Sequence, residues 1–136
     1  VAALATVLAP AQAPAAELES TRWRLVEVAG RPAGASEAGR WPYIELRAAE
    51  KPGDGPSLRG SAGCNRLAGS YRLDGSAVEF GPVASTRMAC AQGMEQEQAV
   101  LETLAGTRMW KIRARLLELC DKDGTMLARF EARDLK

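Results

Sequence analysis

Residues 63–80 read GCNRLAGSYRLDGSAVEF, and the architecture turns on how this stretch is read. AGSYRL (68–73) and AVEF (77–80) are short strand-like runs, and Asp74-Gly75 between them has the turn chemistry of a hairpin. Ahead of them stands Cys64, next to Gly63 and Asn65. A cysteine in that setting is a disulfide partner, a metal ligand, a nucleophile or a small buried residue, and the rest of the chain has to choose.

The rhythm of the hairpin continues in both directions. TRWRLVEV (21–28) turns Trp23, Leu25 and Val28 inward, and PYIELRA (42–48) alternates Ile44, Leu46 and Ala48 against Tyr43, Glu45 and Arg47. EKPGDGPS (50–57) is dense in glycine and proline and reads as an exposed loop before the strand SLRGSA (57–62). RMWKIRA (108–114), RLLELC (115–120) and TMLARFEA (125–132) are three further strands, the last two separated by Asp123-Gly124. One segment differs: MEQEQAVLETLA (94–105) is made of good helix formers and is followed by Gly106. On a helical wheel Met94, Leu101, Leu104 and Ala105 share a face, with Val100 at its edge. Glu97 falls among them, so its carboxylate must be partnered, by an arginine such as Arg66 or by backbone at a barrel rim, or else reach a ligand. The pattern predicts a mainly β domain over residues 21–136: about eight short strands in a curved antiparallel sheet or incomplete barrel, with one helix over an opening or edge.

A chain of 136 residues with 46% hydrophobic and 26% charged residues fits one ordinary globular unit. Its first residues, VAALATVLAPAQAPAAE, carry no charge before Glu17. Residues 1–16 read as the end of a secretory signal cleaved after Ala15, or as an Ala/Pro linker; Pro10 and Pro14 and the short apolar run argue against a membrane span.

Composition narrows the chemistry. Histidine is absent, which removes the commonest general base and zinc ligand. Dinucleotide, P-loop and C-x-x-C signatures are missing, so no cofactor is expected. Cys64 and Cys90 lie in loop-like contexts, whereas Cys120 ends a strand; in an exported protein this favours a 64–90 bridge over a nucleophile helped by Arg66 or Arg87, or a zinc site. Such a bridge would tie the loop before the helix to the hairpin.

With these residues assembled, GCNRLAGSYRLDG followed by TRMACAQGMEQE and a helix resembles the META domain, the family that includes the HslJ-type heat-shock proteins. The shared motif residues are Gly63, Asn65, Arg66, Thr86 and Met88, and the family's cysteine pair falls on Cys64 and Cys90. The resemblance implies a lipocalin-like or cracked barrel with one helix, a bacterial envelope location in the periplasm, a link to stress and drug tolerance, and no catalytic activity. Cys120 and the long 50–57 loop depart from the family pattern.

Four functions compete on this reading. The favoured one is a non-catalytic envelope domain that binds a protein or envelope component; the second is a carrier of a lipid or other apolar molecule, with Trp23, Ile44, Leu46, Trp110 and Ile112 lining the interior. Nucleic-acid binding would use the stripe Lys111, Arg113 and Arg115, but Trp110 lies on the opposite face of that strand and the net charge is only +1. An enzyme would have to rely on carboxylates such as Glu97, Asp121 or Asp123, and the two aspartates are more simply turn residues. The sequence names neither the partner nor the oligomeric state.

Overall fold

A computed structural model of the chain describes residues 16–36 and 39–133. The strands are β1 (Arg22–Val28), β2 (Arg31–Pro32), β3 (Tyr43–Arg47), β4 (Ser57–Ser61), β5 (Arg66–Asp74), β6 (Ala77–Phe80), β7 (Ala84–Ser85), β8 (Met109–Arg113), β9 (Leu116–Cys120) and β10 (Met126–Arg133). Among the described residues one helix, α1 (Met94–Gly106), falls between β7 and β8. The pairings run β10-β9-β8-β6-β5-β4-β3-β1, and β1 also pairs with β10. Eight antiparallel strands thus form a ring-like sheet, with β2 and β7 as short additions beside β1 and β5. This matches the expected mainly β fold with one helix.

The ring is unevenly stitched. Between β6 and β8 the ladder has one residue pair, Ala77 with Met109, and two flanking bonds, from Val78 N to Arg108 O and from Trp110 N to Ser76 O. The chain that joins these two sides of the seam carries β7, the 86–93 loop and α1. The helix packs on β1, β6 and β10 and so closes one end of the ring.

Period-two alternation explains which side chains go inside. Trp23, Leu25, Ile44, Leu46, Leu58, Leu67, Tyr71, Val78, Leu117, Leu119 and Phe130 form one core, to which α1 adds Val100 and Leu104. The interior is filled: of the residues named as a possible apolar lining, Trp23, Ile44 and Leu46 are fully buried, while Trp110 and Ile112 are half-buried against the same core. Gly60 on β4 is required by close packing, because a Cβ there would collide with the backbone of Tyr43 and Ile44 on β3.

Three details of the sequence reading shift. Ala48 lies beyond the end of β3 and is exposed. The buried face of α1 is Glu97, Val100, Thr103 and Leu104, whereas Met94 and Ala105 are exposed, because the helix docks through its middle and its first residue projects past the sheet. Residues 16–20 also join the domain: Leu18 is buried, its carbonyl accepts from the Trp23 indole at 2.9 Å, and the Tyr71 hydroxyl donates to the Glu19 carboxylate. Burial, then that carboxylate, pushes the Tyr71 phenol above its ordinary pKa. The expected signal or linker segment lies, apart from Ala16, outside the described residues. Among the described residues no helix is long and apolar enough to cross a membrane.

Candidate functional site: an arginine cleft at the rim

The outward-facing residues of neighbouring strands line up through their registers. Glu131 on β10 pairs with Arg24 on β1, Arg24 with Tyr43 on β3, Tyr43 with Ser61 on β4, and Ser61 with Arg66 on β5. One step along, Arg133 pairs with Arg22 and Arg22 with Glu45. Alternation that sends Trp23 and Leu25 into the core sends Arg22 and Arg24 outward, and the same rule operates on β3 and β10.

These rows build a cleft of about 640 Å³, lined by Arg22, Arg24, Arg40, Arg66 and Arg133 with Trp41, Tyr43, Ser61, Cys64, Thr86 and Met88. The guanidiniums of Arg22 and Arg24 stack on the rings of Tyr43 and Trp41, at 4.1 and 4.8 Å from the centroids, and are thereby held in place. Two carboxylates adjoin the arginines. Glu45 accepts from Arg22 Nε at 2.7 Å and from Arg47 Nη2 at 3.0 Å, and Glu131 lies 3.6 Å from both Arg24 and Arg133. Burial alone would raise the Glu45 carboxyl, but the hydrogen bonds and charges of Arg22 and Arg47 outweigh it and hold it below the ordinary glutamate value. Five lining arginines against two carboxylates leave a local positive surplus in a chain whose net charge is only +1. Among the described residues the Nε of Arg24 is buried without a hydrogen-bond partner, a donor that lacks an acceptor.

The motif residues build one wall of this cleft. Asn65 Oδ1 accepts from Met88 N at 2.7 Å and from Thr86 Oγ1 at 2.9 Å, and its Nδ2 donates to Met88 O and to Glu97 Oε2. The Asn65 backbone N–H donates to Glu97 Oε1 at 3.0 Å. The Glu97–Arg66 pair expected from sequence is thus corrected: Glu97 is satisfied by Asn65, backbone and amide, while the exposed Arg66 faces the cleft and its backbone is tied to Thr86, the N–H donating to Thr86 Oγ1 at 3.0 Å and the carbonyl accepting from Thr86 N at 3.1 Å. The neutral amide is better suited than a guanidinium because one Asn supplies donors to Glu97 and acceptor capacity to the 86–88 segment together.

Cys64 and Cys90 are joined, with Cα atoms 6.3 Å apart, so the bridge fastens the same wall from its other side. Gly63 precedes the bridge at φ 105°, a conformation that favours glycine. Cys120 is a buried free thiol whose pKa is raised, chiefly by burial. A second cleft, of about 690 Å³, lies between residues 28–32 and the start of α1, but it contains one arginine, Arg31, near Glu95, and is crossed by the reciprocal bonds of Gln96 with the Gly34 backbone.

Sequence reasoning found Arg66, Thr86 and Met88 but missed Arg22, Arg24, Arg40, Trp41 and Arg133 as site residues. The outward positions in TRWRLVEV carried part of the signal. The basic stripe weighed for nucleic acid and set aside is engaged locally: Lys111 opposes Glu118 across β8 and β9, Arg113 lies 3.8 Å from Glu118, and Arg115 donates to Ala132 O.

An antiparallel ring-like sheet with one helix and a disulfide beside its rim defines the class of protein. The META domain model matches residues 16–134, and the chain belongs to that family. An NMR structure of a protein from Burkholderia xenovorans is similar, at 24% identity and TM-score 0.66, over 93% of this chain and 97% of that one. A second NMR structure shares 26% identity at TM-score 0.62, over 84% and 91% of the two chains. A crystal structure of a duf4847 family protein from Bacteroides vulgatus has the fold at 14% identity and TM-score 0.56, over 88% of this chain and 96% of that one. No curated protein matches the chain.

Proposed function

We propose that the chain is a non-catalytic binding domain of an exported, periplasmic bacterial protein, which holds an envelope component in the arginine cleft and serves in stress response or drug tolerance. The observation that carries the reading is the concentration of five arginines and two aromatic rings in one rim cleft, which the disulfide and the Asn65–Glu97 bonds hold in shape. Clustered guanidiniums, two of them held by stacking on aromatic rings, favour binding of anions. The absence of histidine supports a binding role over general acid-base chemistry. The disulfide supports export, since such bonds persist in oxidising compartments. The filled interior argues against the lipid carrier.

Co-sedimentation with a purified envelope fraction tests the reading. The wild-type chain should sediment with the envelope, and the double charge reversal Arg40→Glu with Arg66→Glu should stay in the supernatant while melting as the wild type does. Equal sedimentation of both chains would refute it.

A further inference from the structure

We infer that the cleft binds a phosphorylated saccharide: a sugar-sized body bearing at least two phosphate groups, free in solution or as the headgroup of a glycolipid. The inference rests on the binding reading above and names its ligand class. Every cation lining the cleft is an arginine, whose planar fork matches phosphate oxygens with paired hydrogen bonds. Glu45 and Glu131 answer Arg22, Arg24 and Arg133, whereas among the described residues the guanidiniums of Arg40 and Arg66 have no carboxylate within salt-bridge distance. Two guanidiniums in that state supply two phosphate positions, and Arg24, whose Nε is buried without an acceptor, lines the same cleft.

Size and shape set the rest of the ligand. The cleft volume lies within the range of small-molecule sites and is open to solvent on one side, as a headgroup anchored outside would need. Trp41 is 40% exposed, and with the Arg24 guanidinium on one face its ring leaves the other for the face of a sugar, while the Ser61 hydroxyl, which accepts from Gly63 N, keeps its proton for a sugar oxygen. An acidic peptide fits less well: β1 and β3 are paired on both sides, so the cleft offers no strand edge to extend. A nucleic-acid strand would need a longer cationic track than one small cleft, with stacking platforms along it.

Tryptophan fluorescence titration at low salt tests the ligand class. The probes are glucose 1,6-bisphosphate, glucose, inorganic phosphate, an oligo-glutamate peptide and a single-stranded oligonucleotide. Glucose 1,6-bisphosphate should bind about tenfold or more tightly than inorganic phosphate, with glucose weaker still, and Arg40→Ala and Arg66→Ala should each weaken it about tenfold. Binding of phosphatidylcholine vesicles only when they carry a phosphorylated glucosamine lipid, with the same arginine dependence, would assign the headgroup source; soluble binding without vesicle binding would assign the free sugar phosphate. Equal affinity for glucose and its bisphosphate, or indifference to both variants, would overturn the inference. Tighter binding of the peptide or oligonucleotide through the same arginines would overturn the ligand class and leave the binding function standing. Envelope binding retained by the charge-reversed chain would overturn the function instead.

Discussion

Asn65 and Glu97, 32 residues apart in sequence, are joined by two hydrogen bonds, from the Asn65 backbone N–H at 3.0 Å and from its side-chain amide at 2.8 Å. Both residues are buried, and the same amide group holds the backbone of Met88 and the hydroxyl of Thr86. One side chain thereby fixes the start of β5, the first turn of α1 and the wall of the cleft. Replacing Asn65 with alanine leaves the Glu97 carboxylate short of a donor and the 86–88 segment short of an acceptor. The expected loss is about 2–4 kcal/mol, read from urea denaturation. A loss below about 1 kcal/mol would show that the bonds are not structural.

The reading of GCNR from sequence stopped one residue short of this relationship. It placed Glu97 on the buried face of α1 and required a partner for it, which the 3.6-residue period is able to show. It offered an arginine such as Arg66, backbone at a barrel rim or a ligand; the backbone alternative holds through Asn65 N–H, but no periodicity reports that the Asn65 side chain, and not its neighbour's, meets Glu97 as well. Strand alternation exposed the part of the core from Trp23, Leu25 and Val28 to Ile44 and Leu46 because a half-buried sheet writes itself as period two. The cleft was hidden because Arg22, Arg40, Arg66 and Arg133 come from four separate segments. Their proximity follows from registers across five strands, and no local pattern encodes those.

Gly60 supplies a packing test. Gly60→Ala forces β3 and β4 apart at Tyr43 and should cost about 1–3 kcal/mol. Gly55→Ala, in the exposed loop with open space around it, should leave the denaturation midpoint unchanged. Equal effects of the two would contradict the observed register.

Glu45 sets an acid dependence. Its folded pKa lies below the unfolded value, so its contribution to stability is complete above about pH 4.3 and is lost as pH falls below that, through the folded value. Thermal melts of the wild type should drop faster below pH 4.3 than those of Glu45→Gln. Parallel curves would remove the Arg22–Glu45–Arg47 cluster from the account.

The Cys64–Cys90 bridge closes a separation of 26 residues and should contribute about 3 kcal/mol on the chain-entropy view. Denaturing the unreduced protein should expose one reactive thiol, Cys120, and Cys64→Ser should lower both stability and cleft affinity, because the segment ahead of α1 loses its covalent tie to the cleft wall at Cys90. Three reactive thiols would contradict the bridge.

The central claim, that the rim cleft is where this domain binds, meets its most direct test in the NMR signal of the Arg24 side-chain Nε–H. That proton is buried and without an acceptor in the unliganded chain. On titration with glucose 1,6-bisphosphate its resonance should shift, because the guanidinium it belongs to lines the cleft, together with the amides of residues 41, 43, 66 and 86–88. Unmoved Arg24, or shifts gathered instead between residues 28–32 and the start of α1, would contradict the account.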